Sequence, residues 1–210
     1  MYIGSVEASP RLAVDVVAFS LIKGELSVLL VERRRAPYLG YWALPGRFVG
    51  LKDGLEAAAH QALEEKAGAR GLHLEQLHAF DQPERDPRGR VITIAFYALL
   101  PPGGTPVSRG AGWFSVNELP PLAFDHGEII AYAHARLRDQ LFEAPVVRYL
   151  LPRTFTLSEL QDAYEVILGR PLDRRNFRKR VLKDKTLEPV GERRGGPGRP
   201  AVVYRFSRAG

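Results

Sequence analysis

Four carboxylates, Asp53, Glu56, Glu64 and Glu65, fall in one short stretch that ends at Gly68. Acidic side chains gathered along a helix are the donors a hard divalent cation needs, because Mg²⁺ takes oxygen ligands and charge neutralisation; a cation so held can drive cleavage of a phosphate bond. The same stretch also works against that chemistry. Ala62 offers no oxygen in the middle of it, Lys66 sets a positive charge beside Glu65, and a further cation, Arg47, stands upstream.

A second chemical group lies at the other end of the chain. Residues 1–152 carry 16 Lys/Arg against 17 Asp/Glu, a balance of −1, whereas residues 153–210 carry 14 against 7, a balance of +7. The whole excess of positive charge is therefore concentrated in a small C-terminal module, the electrostatic footprint of nucleic-acid binding. Within it, Arg174, Arg175, Asn176, Arg178 and Lys179 follow one another on one segment, and Arg193, Arg194 and Arg199 punctuate a Gly-rich loop. Arg forks pair with guanine, Asn with adenine, and Lys with phosphate.

These groups need elements to hold them. Leu12 to Ile22 and Leu26 to Glu32 are rich in Val, Leu and Phe and meet at Lys23-Gly24, which predicts a β-hairpin. Asp53 to Lys66 reads as a helix with a narrow apolar stripe, Leu55, Ala58, Ala59, Ala62 and Leu63, stopped by Gly68. Val91 to Leu100 and Trp113 to Val116 are β-like. Asp125 opens a long helix to about Leu141, with Glu128 at capping-box spacing. Leu141 to Pro152 holds two prolines and reads as the join between domains 1–145 and 146–210. Beyond it, Thr156 and Glu159 form a second capping box on a helix ended by Gly169. A turn then leads to a helix from Asp173 to about Asp184 with Phe177, Val181 and Leu182 facing inward. Two β-like runs, Leu187 to Val190 and Val202 to Phe206, follow. Helix, turn, basic helix and hairpin with a basic tip predict a winged helix-turn-helix.

Composition excludes other classes. There is no cysteine, hence no disulfide framework or thiolate metal site. The longest apolar stretch, Leu12 to Ile22, contains Asp15 and is too short to span a bilayer, and no signal-peptide layout opens the chain. The expected location is cytoplasmic, without membrane contact.

Residues 47 to 69 resemble the Nudix hydrolase box, Gly-x5-Glu-x7-Arg-Glu-aliphatic-x-Glu-Glu-x-Gly-aliphatic. Arg47 stands at its first Gly, Asp53 at its first Glu, Gln61 at Arg, Ala62 at Glu and Lys66 at the last Glu; Leu63, Glu65 and Gly68 fit. Sliding the register by one residue does not restore the carboxylates. Leu29 to Arg33, Trp42-Ala43-Leu44-Pro45-Gly46, Asp86 to Arg90, Gly112-Trp113-Phe114 and Phe124-Asp125-His126 are similar to segments of Nudix proteins acting on ADP-ribose. With the C-terminal run from Phe155 through Asn176-Phe177-Arg178 to Tyr204-Arg205-Phe206, the chain resembles the Nudix-related transcriptional regulators of bacteria, repressors of NAD metabolism genes.

That resemblance implies an α+β fold, a Nudix-type α/β/α sandwich followed by a winged helix-turn-helix. It implies a sensor without catalytic residues, resident metal or cofactor, bound by ADP-ribose or a related nucleotide, acting as a homodimer on a pseudopalindromic double-stranded DNA operator. Arg33 and Arg47 would contact the phosphates, with Tyr38 or Trp42 stacking on the base; Arg47 could equally obstruct the old phosphate pocket. Two other readings share these residues: an active pyrophosphatase using Asp53, Glu56, Glu64 and Glu65 around a metal, and a regulator of sugar catabolism.

Overall fold

The computed structural model describes residues 9–68, 74–143, 146–183, 186–193 and 200–207. They divide into two compact units. The first comprises the chain up to Phe19, Ser27–Leu99 and Thr105–Ala133; the second comprises Ser20–Leu26, Leu100–Gly104 and the chain from His134 onward.

The first unit is organised by a seven-stranded sheet. Strands β1 (Arg11–Ile22) and β2 (Glu25–Glu32) form the expected hairpin, and Lys23 and Gly24 both take positive φ, 51° and 81°, as a two-residue turn matching strand twist requires. Strand β1 pairs in parallel with β6 (Val91–Leu99), so it lies inside the sheet, and Ala13 to Ser20 are buried without interruption. Buried flanks on both faces explain why its sequence is a continuous apolar run instead of an alternating one. The path runs β3-β2-β1-β6-β5, with β3 (Trp42–Ala43) and β5 (Leu74–Phe80) outermost, while β4 (Gly46–Phe48) pairs with β1 and β7 (Ala111–Ser115) with β2.

Helix α1 (Leu55–Ala67) buries Ala58, Ala59, Ala62 and Leu63, mostly small side chains that permit close approach to neighbouring elements. It begins later than Asp53 because that carboxylate accepts from the Gly50 N–H at 3.1 Å, capping the preceding turn. Gly68 ends it in the left-handed region at φ 72°. Helix α2 (His126–Gln140) buries Ile129, Ile130, Ala133 and Leu137. The expected capping box at Asp125 is not formed, since its carboxylate is taken in two bonds by Arg85, at 2.7 and 2.6 Å.

The second unit contains the last turns of α2, a 3-10 turn at Val146–Tyr149, β8 (Phe155–Thr156), α3 (Leu157–Leu168), α4 (Arg174–Lys183), β9 (Leu187–Arg193) and β10 (Ala201–Phe206). The sheet order β8-β10-β9 and the two helices are the winged helix-turn-helix. Thr156 accepts from the Glu159 N–H at 3.2 Å and Glu159 from the Thr156 N–H at 2.6 Å, completing the box read from sequence. The segment read as a linker is packed: Leu141, Val147, Leu150 and Leu151 are buried. These apolar residues belong to the module's core, and His134 and Arg138 of α2 bond to the Ile167 and Leu168 carbonyls at the end of α3, at 2.9 and 3.0 Å. Among the described residues, no helix is long and apolar enough to cross a membrane.

Candidate functional site: a cationic cleft and a basic helix

The first unit contains a cleft of roughly 1150 Å³, large enough for a nucleotide-sized ligand. Its floor is set by the pairing of β4 with β1, which places Gly46, Arg47 and Phe48 opposite Asp15, Val14 and Ala13. Gly46 is required by packing: a Cβ there would lie 2.1 Å from the Asp15 Oδ1.

Arg47 reaches from this floor to α1. Its guanidinium donates to the Gln61 Oε1 and, at 3.1 Å, to the Glu65 Oε1, and lies 3.9 Å from the Asp53 Oδ2. Asp53, Gln61 and Glu65 therefore converge, as the box spacing implies, but on a guanidinium. A divalent ion does not fit this donor set. Its two carboxylates, Asp53 and Glu65, already share the single charge of Arg47, Ala62 is wholly buried and supplies no oxygen, and Lys66 adds positive charge. Among the described residues, no three His, Asp or Glu side chains are grouped to hold a metal.

Behind the floor lies a buried polar cluster. Asp15 accepts from the Thr93 hydroxyl at 2.8 Å and lies 3.7 Å from both Arg85 and His126; Arg85 in turn holds Asp125. The Leu44 N–H donates to the His126 Nδ1 at 2.8 Å, so a neutral ring carries its proton on Nε2, toward Asp15. Burial holds the His126 pKa below the ordinary imidazole value, with Asp15 and Asp125 opposing. His126 is thus a neutral bridge between α2 and the floor.

One wall is cationic and aromatic. The Arg33 guanidinium lies 4.6 Å from the Phe124 ring centroid and Arg88 5.3 Å from the same ring and 5.5 Å from Phe48. Burial, then the like charge of Arg88, lowers the Arg33 pKa, although Asp86 opposes this. Arg88 is anchored by Asp86, at 2.6 Å for the closest pair, and that bond raises its pKa. Two guanidiniums crowded on one ring are relieved by an anion placed between them. Of the four effector contacts expected from sequence, Arg33 and Arg47 line the cleft. Tyr38 stands behind the wall, its ring 4.9 Å from Phe124, and Trp42 turns toward Phe114 at 4.5 Å; neither lines the cleft. The cleft's aromatic faces are instead Phe48 and Phe124, with no spacing rule to reveal them.

In the second unit, Asp173 caps α4 by accepting from the Asn176 N–H at 2.8 Å, while Phe177 and Val181 are buried. The opposite face therefore presents Arg175, Asn176 and Lys179, all exposed, with Arg174 beside them. Arg178 is only half exposed, its Nε sealed without a partner. Leu182, expected inside, is 45% exposed: it follows Arg175 and Lys179 on the outward stripe, which apolarity alone could not show. Arg193 donates to the Glu159 Oε1 at 2.7 Å and to the Thr154 carbonyl, so it ties β9 to the capping box of α3. Arg194 and Arg199 lie outside the described residues.

Residues 9–133 match the NUDIX domain family and residues 147–206 match the NrtR DNA-binding winged helix domain. The ADPR responsive transcriptional repressor NtrR of Acinetobacter baylyi is 36% identical over 207 residues, 95% of this chain and 83% of that protein. The chain belongs to the NrtR family of Nudix-related transcriptional regulators. Its fold follows the family's: Shewanella oneidensis NrtR, solved in complex with a 27mer DNA, superposes with a TM-score of 0.82 at 34% identity, covering 93% of each chain. The NUDIX domain of the same Shewanella protein, solved with ADP ribose, matches 61% of this chain and 89% of that one, at 34% identity and a TM-score of 0.55.

Proposed function

We propose that this chain is a DNA-binding transcriptional repressor of NAD metabolism genes, controlled by ADP-ribose held in a Nudix cleft that binds the nucleotide without cleaving it. The observation that carries this reading is the position of Arg47. Its guanidinium fills the convergence of Asp53, Gln61 and Glu65, while the wall above keeps Arg33, Arg88 and Phe124 ready for an anion and an aromatic base. A binding site survives where the means of activating water does not. The relatives support the same assignment, one as an ADPR responsive repressor and another solved once with DNA and, as its NUDIX domain alone, with ADP ribose.

Arg33 and Arg88 bind the diphosphate in charge-assisted hydrogen bonds, Arg47 supplies a further cation from the floor, and Phe48 or Phe124 offers its face to adenine. Arg175, Asn176 and Lys179 of α4 enter the major groove, presented twice by a homodimer to the halves of a pseudopalindrome. ADP-ribose alters DNA affinity only by binding the DNA-competent and DNA-incompetent arrangements unequally. Helix α2 contributes residues to both compact units, so one continuous element is common to cleft and reading module.

A gel shift on the DNA upstream of the chain's own gene, at low salt and with or without ADP-ribose, tests this. A retarded band altered by ADP-ribose is expected. No shift at low salt, where phosphate attraction is greatest, overturns the DNA-binding assignment.

A further inference from the structure

The cleft is cationic. Eight Arg/Lys and four Asp/Glu side chains line it, and Asp125 and Asp53 pair with the lining Arg85 and Arg47 from beside it, which leaves an excess of two with His126 neutral. The excess is uneven. Around the inner wall Arg85 is paired with Asp125, Arg88 with Asp86, and Arg47 with Glu65. At the outer end, Arg34, Arg35, Lys66 and Arg109 line the cleft without a carboxylate partner among the described residues, and Glu32, which shares the lining, pairs with none of them.

The fold brings three of these residues, Arg34, Lys66 and Arg109, to one turn, and Arg35 lines the same cleft. The Ala111 N–H bonds to the Ser108 carbonyl at 3.0 Å, and Gly110 takes φ 89°, closing a turn that needs glycine at its third position. On one side the Arg34 Nη2 donates to the Arg109 carbonyl at 3.3 Å, and a Cβ on Gly110 would lie 2.7 Å from that Nη2, so the glycine also makes room for the arginine. On the other side the Ser108 hydroxyl donates to the Lys66 carbonyl at 2.8 Å, fixing the turn to the end of α1. Like charges lining one cleft without carboxylate partners repel one another.

We propose that this turn is a second anion subsite, and that Arg34, Arg35, Lys66 and Arg109 take a phosphate dianion in addition to the effector's diphosphate. The inference rests on the reading of the cleft as a nucleotide site. A dianion of about 1.5 to 2 negative charges would there meet cationic side chains that no carboxylate among the described residues pairs. The dianion is either a phosphomonoester on the nucleotide itself or free inorganic phosphate bound beside it.

Calorimetric titration of the full-length protein separates these sources and tests the subsite. ADP-ribose, ADP-ribose carrying a 2′-phosphate, and inorganic phosphate added to protein saturated with ADP-ribose are the three probes. Either a 2′-phosphorylated ligand at least about tenfold tighter than ADP-ribose, or one further binding event for inorganic phosphate, is expected. The Arg34→Ala/Arg109→Ala variant should abolish that gain while keeping the affinity for ADP-ribose, a control that also reports folding. Equal affinity for the two nucleotides together with no phosphate uptake overturns the subsite. Failure of ADP-ribose itself to bind instead refutes the nucleotide reading, and inorganic phosphate titrated into the unliganded protein then tests the turn alone.

Discussion

Replacing Arg47 by alanine separates its structural from its binding role. The side chain is 28% exposed and its partner Glu65 55% exposed, so the ion pair is screened and contributes only about 0.2–1 kcal/mol to folding. A melting midpoint lowered by no more than a few degrees is therefore expected. A charged hydrogen bond to a bound phosphate is worth more, about 1.5–3 kcal/mol, so ADP-ribose should bind Arg47→Ala about 10- to 150-fold more weakly. Because the guanidinium already supplies positive charge to Asp53 and Glu65, wild-type affinity should be the same in EDTA and in millimolar Mg²⁺. Arg47→Lys should fall between the two, since an ammonium cannot span Gln61 and Glu65 as a fork does. Titration calorimetry with a parallel thermal melt reads all of these. An unchanged affinity in Arg47→Ala refutes the binding role, and a gain in affinity means that Arg47 obstructs the pocket.

Other consequences follow from the same geometry. Arg175→Ala should cost about 1–3 kcal/mol of DNA affinity, concentrated at one operator base position, as read by anisotropy on single-substitution operators. Lys179→Ala should weaken all sequences alike and reduce the slope of log affinity against log salt by about 0.9. Thr156→Ala removes the capping box of α3 and should cost about 0.5–2 kcal/mol in denaturant unfolding. His126 is held neutral by burial, its folded pKa below the unfolded value near ~6.5. Its stability contribution is thus complete above that unfolded value and is lost as pH falls through the folded one. Melting midpoints of the wild type should decline over that interval more steeply than those of His126→Gln; parallel profiles would show that His126 is not the titrating group.

Much of this was legible in the chain because the signals were local. Turn chemistry at Lys23-Gly24, the glycine stops at Gly68 and Gly169 and the Thr156–Glu159 box each act within a few residues, and the structure forms each of them. Strand β5 escaped notice: at an edge of its sheet path it buries little beyond Leu74, so Leu74 to Phe80 shows neither an apolar run nor clean alternation. The site was legible where a motif residue had changed, as at Arg47. It was not where tertiary pairing creates it. Asp15, Thr93, Arg85 and His126 meet because β1 and β6 run in parallel and α2 starts beside Leu44, contacts spanning 70 residues or more that no spacing encodes. Leu182 shows the converse: its apolarity points inward, but the helical angle carries it to the exposed stripe.

The central claim is that a cleft without hydrolytic chemistry reports nucleotide occupancy to a DNA-reading helix. Fluorescence anisotropy of labelled upstream DNA, titrated with protein in millimolar Mg²⁺ across a series of ADP-ribose concentrations, with the nucleotide recovered and weighed by mass spectrometry, tests both halves together. The account predicts a DNA Kd that shifts at least about fivefold at saturating ADP-ribose, with the nucleotide recovered intact. A Kd indifferent to saturating ADP-ribose, or recovery of its cleaved phosphates, would contradict it.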